Sequence, residues 1–547
     1  MRGPFFAIEL SRSCQKAGNA RAARSLPVRW RPALATLLAL LLALALAGCG
    51  TLPPPAGKVE SRALPPPAAG ALVDIAKAST PPGDLSGFRL LPLGSFALDT
   101  RLQLIERASH SLDLQYYIIE NDATGRLLLR SLRDAAVRGV RVRLLVDDLF
   151  TAQTDPILRA LAEHPNAQVR LFNPFCCARD STEGRLVASL LDLYRLNHRM
   201  HNKLLIADGV AAIAGGRNIA DAYFMLNMSS NFVDLDAFVM GAVVPQLQRI
   251  FDKYWNSDIV HPVQSLVPLA VGTDGLDAEF ERLTVLDHGP PELSAVDALG
   301  YGPIREDLDA GRIGLIWAPA RAFADPPNKL ARMTTEEERE NTVSAQVRMK
   351  LWDAERELVL TSPYLIPGPL GIRNFEALGQ RNVRMVVLTN SLAATDEPLV
   401  HTGYSRYRER LLASGVDLYE ISPERTRRNK RLGIFGSSLG RLHAKTSVVD
   451  GERVFIGSMN LDPRSETQNT ELGIFVDSPE LAKELLRIIS ISKLQSAYRV
   501  RLGAAGGLEW LTMDEDNEVI LTAEPETSLW LRVHNMLISP FVPEQLL

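Results

Sequence analysis

Short apolar runs follow one another along this chain in an order that occurs twice. "SLDLQYYII" (Ser111–Ile119) leads through a helix-like segment into "VRVRLLVDD", which ends at Asp148. Far downstream, "ELVLTSPYLI" (Glu357–Ile366) leads in the same way into "VRMVVLTN", which ends at Asn390. Each pair is followed by two more apolar runs around an Asp-Gly step: "LLIAD" and "AAIAG" first, then "TSVVD" and "VFIG". Apolar runs of this length, punctuated by Asp-Gly, predict strand–turn–strand hairpins. Strands alternating with helices predict α/β units with a mixed sheet flanked by helices. The fold expected is α/β, with two homologous halves at 83–265 and 342–547, the second carrying a C-terminal extension. Residues 266–341 have no counterpart in the repeat and read as a connector or insertion.

Ahead of the first half the pattern changes. Arg29, Trp30 and Arg31 precede "ALATLLALLLALALAGC", a positive region followed by an apolar run shorter than the roughly 20 residues of a spanning helix. This is the layout of a secretory signal. Leu46-Ala47-Gly48-Cys49 resembles the lipobox of bacterial lipoproteins, which implies cleavage before Cys49 and its lipidation. The expectation is a leader over 1–49 and a lipoprotein facing the periplasm, in the outer membrane by the sorting rule that Gly50 satisfies. An uncleaved inner-membrane signal anchor is the alternative. Residues 50–82, with "TLPPPAGKVE" and "ALPPPAAG", read as a semi-rigid Pro/Ala-rich tether.

Composition narrows the picture a little. The 547 residues are 46% hydrophobic and 23% charged, values of a folded protein too long for one ordinary domain. A net charge of -4 gives no overall basic field for gathering nucleic acid, so no nucleic-acid partner is expected. Four cysteines in this length make no disulfide scaffold.

The chemistry sits at the repeated hairpins. From His201, Lys203 stands at +2, Asp208 at +7, Gly215 at +14 and Asn218 at +17. From His443, Lys445, Asp450, Gly457 and Asn460 stand at the same offsets. Alternation along the first strand of each hairpin would put His and Lys on one face. A duplicated histidine beside a lysine suits phosphoryl-type transfer. One imidazole attacks phosphorus while the other protonates the departing alkoxide, because the pKa of histidine lies near neutrality. Lys203, Lys445, Asn218 and Asn460 would hold the non-bridging oxygens as charge builds. Two displacements in series make a covalent phosphohistidine.

The duplicated His-x-Lys-x4-Asp motif resembles the phospholipase D superfamily. "RMHNK", "AGGRNIADAYF", "LFNPF", "IGSMNLDPRS" and the terminal "EP…VPEQLL" are most similar to the C-type bacterial cardiolipin synthases. The resemblance implies two halves packed about a pseudo-twofold axis, one active site at their junction, and no metal or other cofactor. It implies His201 as nucleophile and His443 as acid/base, with Asp208 and Asp450 completing the motif in a role the family usually makes structural. A carboxylate further along holds the other nitrogen of each histidine in this family. Aligning "DLDAFV" with "ELGIFV" assigns that part to Asp234 and Glu471, with Asp236 as the alternative to Asp234. The implied activity is transfer of a phosphatidyl group to phosphatidylglycerol, with phospholipids and a membrane surface as partners, and the resemblance allows for an accessory protein. Hydrolysis to phosphatidic acid, and after it a phosphodiesterase or nuclease, stay open.

One departure separates the copies: Gly215-Gly216 in the first is Gly457-Ser458 in the second. The Ser458 hydroxyl is expected as a further phosphate donor. The basic run Arg427–Arg431 ("RRNKR") is a candidate for attraction to anionic headgroups.

Overall fold

A computed structural model describes residues 52, 55, 57–179, 181–188, 192–269, 275–286, 289–329, 340, 342–514 and 517–544. The segment read as a leader, with its lipobox-like residues and Cys49, lies outside the described residues.

Each half is built on six strands. In the first they are β1 (Ser111–Tyr116), β2 (Arg141–Asp147), β3 (Ala167–Phe172), β4 (Leu204–Ala207), β5 (Ala211–Gly215) and β6 (Asp236–Gly241). In the second they are β7 (Glu357–Thr361), β8 (Arg384–Asn390), β9 (Val416–Ile421), β10 (Thr446–Val449), β11 (Arg453–Gly457) and β12 (Leu472–Asp477). The spatial order is β6-β5-β4-β1-β2-β3 in one sheet and β12-β11-β10-β7-β8-β9 in the other. The duplication read from the apolar runs is therefore a duplication of topology. β1-β2-β3 and β7-β8-β9 are parallel and the hairpins are antiparallel, so both sheets are mixed.

Alternation along the strands divides the core. Leu112 and Leu114 of β1 face the helices of the first half, and Leu358 and Leu360 of β7 face those of the second. Leu204, Ile206, Ala212 and Val239 share one buried cluster with Val359, Val448, Val454 and Ile474. The inner faces of the two sheets thus close on a single apolar layer, completed by α1 (Val244–Trp255) and α2 (Pro479–Ser496). Strands buried on both faces read as continuous apolar runs, which is why the sequence shows runs here and not strict alternation.

The Asp-Gly steps fold as expected. Asp208 and Gly209 have φ of 49° and 67°, Asp450 and Gly451 have 56° and 70°, the left-handed pair of a tight hairpin turn.

Two boundaries differ from expectation. The segment read as a tether is bound to the first half from Lys58 onward. Lys58 Nζ donates to Ser257 O (2.6 Å), Ala63 N to Asp252 Oδ2 (2.9 Å), and Trp255 Nε1 to Ser61 Oγ (2.9 Å). Residues Ala71–Ser79 form a helix whose Leu72 and Ile75 are buried, so apolar side chains every three to four residues prevail over the proline-rich flanks. A strand at Ser86–Leu91 inserts beside β6. The stretch 266–341 is divided between the halves: Ile316–Ala318 pairs with Ser86–Phe88, and Ala320–Ala324 pairs with β12.

Candidate active site

A two-stranded parallel ribbon, Ser230–Val233 beside Leu439–Leu442, joins the halves. It carries the chain into Asp234 on one side and His443 on the other. His443 N donates to Val233 O (2.8 Å) and His201 N donates to Thr470 O (2.9 Å). Each histidine is therefore tied, through its backbone, to the residue that precedes a carboxylate of the other half. This is why His201 and Lys203, like His443 and Lys445, stand just before the hairpin strand and not on it.

The side chains repeat the exchange. His443 Nδ1 donates to Asp234 Oδ2 (2.6 Å). His201 Nδ1 donates to Glu471 Oε2 (3.0 Å) and to Ser458 O (3.1 Å). A carbonyl can only accept, so Nδ1 of His201 carries the proton and Nε2 keeps its lone pair. Each ring sits against a first-half tyrosine at its edge: Tyr117 at 5.0 Å from His201 and Tyr223 at 5.1 Å from His443. Lys203 Nζ donates to the carbonyl of His201 (2.6 Å), and Lys445 Nζ to that of His443. Asn218 Nδ2 donates to Tyr223 OH (2.9 Å), while Oδ1 of Asn218 and of Asn460 is buried without a hydrogen-bond partner among the described residues. An amide rotated about its last bond aims its NH2 into that same space.

All six ionisable groups of this centre are buried, and burial sets their protonation. Burial, then Lys203, Lys445 and His443, holds His201 well below the usual imidazole range. Burial and Lys445 also lower His443, but Asp234 opposes them. Burial would raise Asp234, yet His443, Lys445 and Arg217 hold its carboxyl well below the usual range. Glu471 goes the other way: burial pushes it up to about 7 against the pull of Lys203. Burial lowers Lys203 strongly, and Lys445 to about 8. The centre favours a neutral His201 and holds a carboxylate anion beside His443.

Other expected residues fall elsewhere. Asp208 accepts from the backbone N–H of Ser109 (2.9 Å), His110 (2.8 Å) and Ser111 (3.0 Å), and Asp450 does the same for Glu355, Arg356 and Glu357. Both pin the hairpin turn to the start of β1 or β7. As catalytic residues they are corrected: their oxygens are committed to backbone donors. Asp236 binds Arg101 (2.9 Å) and Arg217 (3.3 Å) and leaves the histidine contact to Asp234. Ser458 donates its hydroxyl to Glu471, not into the space of a phosphate. Lys430 and Arg431 of the basic run line a cavity of about 500 Å³ with Leu93, Met225 and Ile434.

Residues the sequence did not offer complete the surroundings. Asp147 accepts from Met200 N (2.8 Å), and Asn390 brackets Leu442 with two bonds of 2.9 Å, so the ends of β2 and β8 hold the residue before each histidine. The apolar run of the sequence ends at Asn390 in the second half, but in the first it extends one residue past Asp147, to Asp148. Asp325 accepts from Glu471 N (3.0 Å) and is held by Lys329 (2.7 Å), a support from the inter-half stretch that no repeat signals. A small cavity of about 70 Å³ is lined by Leu365, Leu370, Phe375, Met459 and Leu461 together with Arg348, Asp462 and Glu466.

Two duplicated mixed sheets with a histidine from each half at their junction define the double-histidine phospholipase D-like class. The model of the cardiolipin synthase, PLD-like domain matches residues 102–255 and 347–491. Cardiolipin synthase C of Escherichia coli (strain K12) is 38% identical over 454 residues, covering 82% of this chain and 94% of that protein. An uncharacterized protein of Helicobacter pylori is 31% identical over 452 residues, covering 81% and 86%. Among solved structures, phosphatidylserine synthase of Haemophilus influenzae Rd KW20 superposes with a TM-score of 0.53 at 12% identity, covering 87% of this chain and 99% of that one, which shows the fold. The chain belongs to the phospholipase D-like cardiolipin synthase family.

Proposed function

We propose that the protein is a membrane-lipid phosphatidyltransferase that makes cardiolipin. The observation that carries this reading is the reciprocal strapping of His201 by Glu471 and of His443 by Asp234. It gives two rings with Nδ1 engaged and Nε2 left for chemistry. His201 Nε2 attacks the phosphorus of a donor phospholipid, the bond to the headgroup oxygen breaks, and His443 gives that oxygen its Nε2 proton. A phosphatidyl-histidine remains. His443 then takes the proton from the headgroup hydroxyl of phosphatidylglycerol, whose oxygen attacks phosphorus and releases His201. The unequal surroundings support this division of roles: the less basic His201 is poised neutral, and the anion beside His443 favours the imidazolium that an acid needs. Lys203, Lys445, Asn218 and Asn460 stabilise the five-coordinate phosphorus.

Leader cleavage and lipidation at Cys49 would hold this site at a membrane facing the periplasm. Among the described residues no helix is long and apolar enough to cross a membrane. Labelling with a radioactive fatty acid is expected in the native chain and absent in Cys49→Ser.

Purified protein with vesicles of phosphatidylglycerol and phosphatidylethanolamine, in EDTA, is expected to yield cardiolipin by mass spectrometry. Phosphatidic acid alone would replace transfer by hydrolysis. Cleaved DNA beside intact lipid would overturn the reading.

A further inference from the structure

The last part of the chain is held to the body by side-chain clamps at both ends of a helix. Glu524 accepts from Arg408 Nη1 (2.7 Å), itself buried against Glu420 (2.9 Å). Glu544 accepts from Tyr407 OH (2.7 Å), and Arg406 donates to Ser539 O and Val542 O (3.0 Å). Between these clamps runs α3 (Leu529–Ile538), capped by Ser528, whose Oγ accepts from Leu531 N (3.1 Å). No residue of α3 is buried. Leu529 is 70% exposed, Trp530 75%, Leu537 61% and, just beyond, Phe541 83%. Trp530 and Leu537, seven residues apart, lie on one helical line, and Leu529 and Met536, the latter 65% exposed, lie about 100° to one side of it. The half-buried Leu531, Asn535 and Ile538 lie on the other side, and the helix packs beside Pro398–Ser405.

An apolar stripe of this size kept in water is unfavourable, and soluble surfaces seldom carry one without a use. Charge indicates what meets it. From Thr527 to Val542 there is no acidic residue; Arg532 and His534 are the titratable groups. The flanking carboxylates are already engaged: Glu524 with Arg408, Glu526 with Ser422 (2.7 Å) and Glu544 with Tyr407. A face that is apolar, aromatic and free of carboxylates suits an anionic phospholipid surface.

We propose that α3 is an interfacial helix that lies in the headgroup layer and seats the active site on an anionic phospholipid bilayer. This rests on the lipid-transfer reading for its use, though not for its binding. Two connections lead inward from it. Pro398–Ser405 begins directly after Asp396 and Glu397, and Asp396 acts on His443 and Lys445. A Cβ at Gly368 would stand 3.5 Å from Glu544 Oε1, and Leu370, two residues on, lines a small cavity with Met459 and Leu461. The clamps on the helix thus adjoin residues that flank Asn460 in the chain.

The test uses the full chain and vesicles of phosphatidylglycerol and phosphatidylethanolamine, part of them brominated in the acyl chains. Trp530, one of six tryptophans, is expected to be quenched by brominated lipid, seen as the difference between the native chain and Trp530→Phe. Trp530→Gln, Leu537→Gln and Phe541→Gln together are expected to lower turnover on vesicles about tenfold or more, with turnover on dispersed short-chain phosphatidylglycerol unchanged. The substituted side chains are exposed, and an unchanged melting temperature checks the fold. Absence of Trp530 quenching overturns the proposal. So does a triple variant that changes oligomeric state by sedimentation and binds vesicles as before, since the face is then a contact between copies. Quenching without turnover on either lipid form supports the helix and removes the transferase reading.

Discussion

The two halves share a strand order and differ in the few atoms that govern protons. The first half lends His443 an aspartate, and at the position before Arg217 it has glycine. A Cβ on Gly216 would stand 2.1 Å from Asp234 Oδ1, so the carboxylate occupies that space. The second half lends His201 the longer Glu471, and at the matching position Ser458 fills the space and donates its hydroxyl to the carboxylate. Asp234 is held ionised by His443, Lys445 and Arg217, whereas Glu471 is pushed up to about 7. Tyr117 and Tyr223, the aromatic walls at both rings, come from the first half. Duplication fixes where each carboxylate arrives, and single side chains then give the two histidines unequal surroundings.

The strongest way to break this contrast is to remove each ring and change the leaving group. His201→Ala and His443→Ala are each expected to lower turnover on natural phospholipid by about 10⁴-fold or more. A phosphatidyl ester of p-nitrophenol, whose leaving group needs no proton, should separate them. His443→Ala is expected to release a burst of nitrophenolate equal to the enzyme, read by absorbance, and His201→Ala none. The opposite outcome exchanges the roles.

Much of this frame is legible in the sequence, and the reasons are local. Asp-Gly with matching apolar runs sets both hairpins, because their register and turn depend on neighbours in the chain. Asp234 and Glu471 are found by aligning two strands, since the repeat carries side-chain positions with it. The crossed pairing is not legible. It arises from backbone bonds such as His201 N to Thr470 O, which also draw the histidine off the hairpin strand where alternation would put it. Asp325 and Lys329 come from a stretch without a repeat, so no comparison of halves could point to their place behind Glu471. The bound segment from Lys58 is hidden for a different reason: its partners, Asp252 and Ser257, lie nearly two hundred residues away.

The contrast between carboxylates gives the next effects. Asp234→Asn takes away the anion that supports the imidazolium of His443, and a loss of about 10³-fold is expected. Glu471→Gln is expected to cost about 10²-fold, with a distinct pH signature. Glu471 is raised from 4.5 to about 7 by burial, so below neutrality it is neutral and cannot offset the positive charge that His201 gains on phosphorylation. The kcat/KM of the native enzyme should therefore fall as pH drops through about 7, and that limb should vanish in Glu471→Gln. A limb that survives unchanged assigns it to another group.

Exchanging the small residues sharpens the comparison at lower cost. Gly216→Ala forces its methyl against Asp234 and should displace the carboxylate from His443, lowering activity about tenfold or more. Ser458→Gly removes a hydrogen bond that lowers Glu471, so its pKa rises further and the acid limb moves upward. At pH 7 this amounts to about a threefold loss, recovered at higher pH.

The smallest effect on turnover is expected where the halves are most alike. Asp208 and Asp450 hold the same three backbone N–H groups in the same turn, but Asp208 is fully buried and Asp450 is half-exposed. Asparagine keeps the left-handed backbone at either site while turning one acceptor into a donor that faces an N–H. Buried, that mismatch has no water to relieve it, and Asp208→Asn should lower stability by about 2 kcal/mol; Asp450→Asn, reached by solvent, should lose under about 1 kcal/mol. Urea unfolding measures both, and the pH profile of kcat/KM should match the native one in each. A changed profile in Asp450→Asn would return that residue to the chemistry.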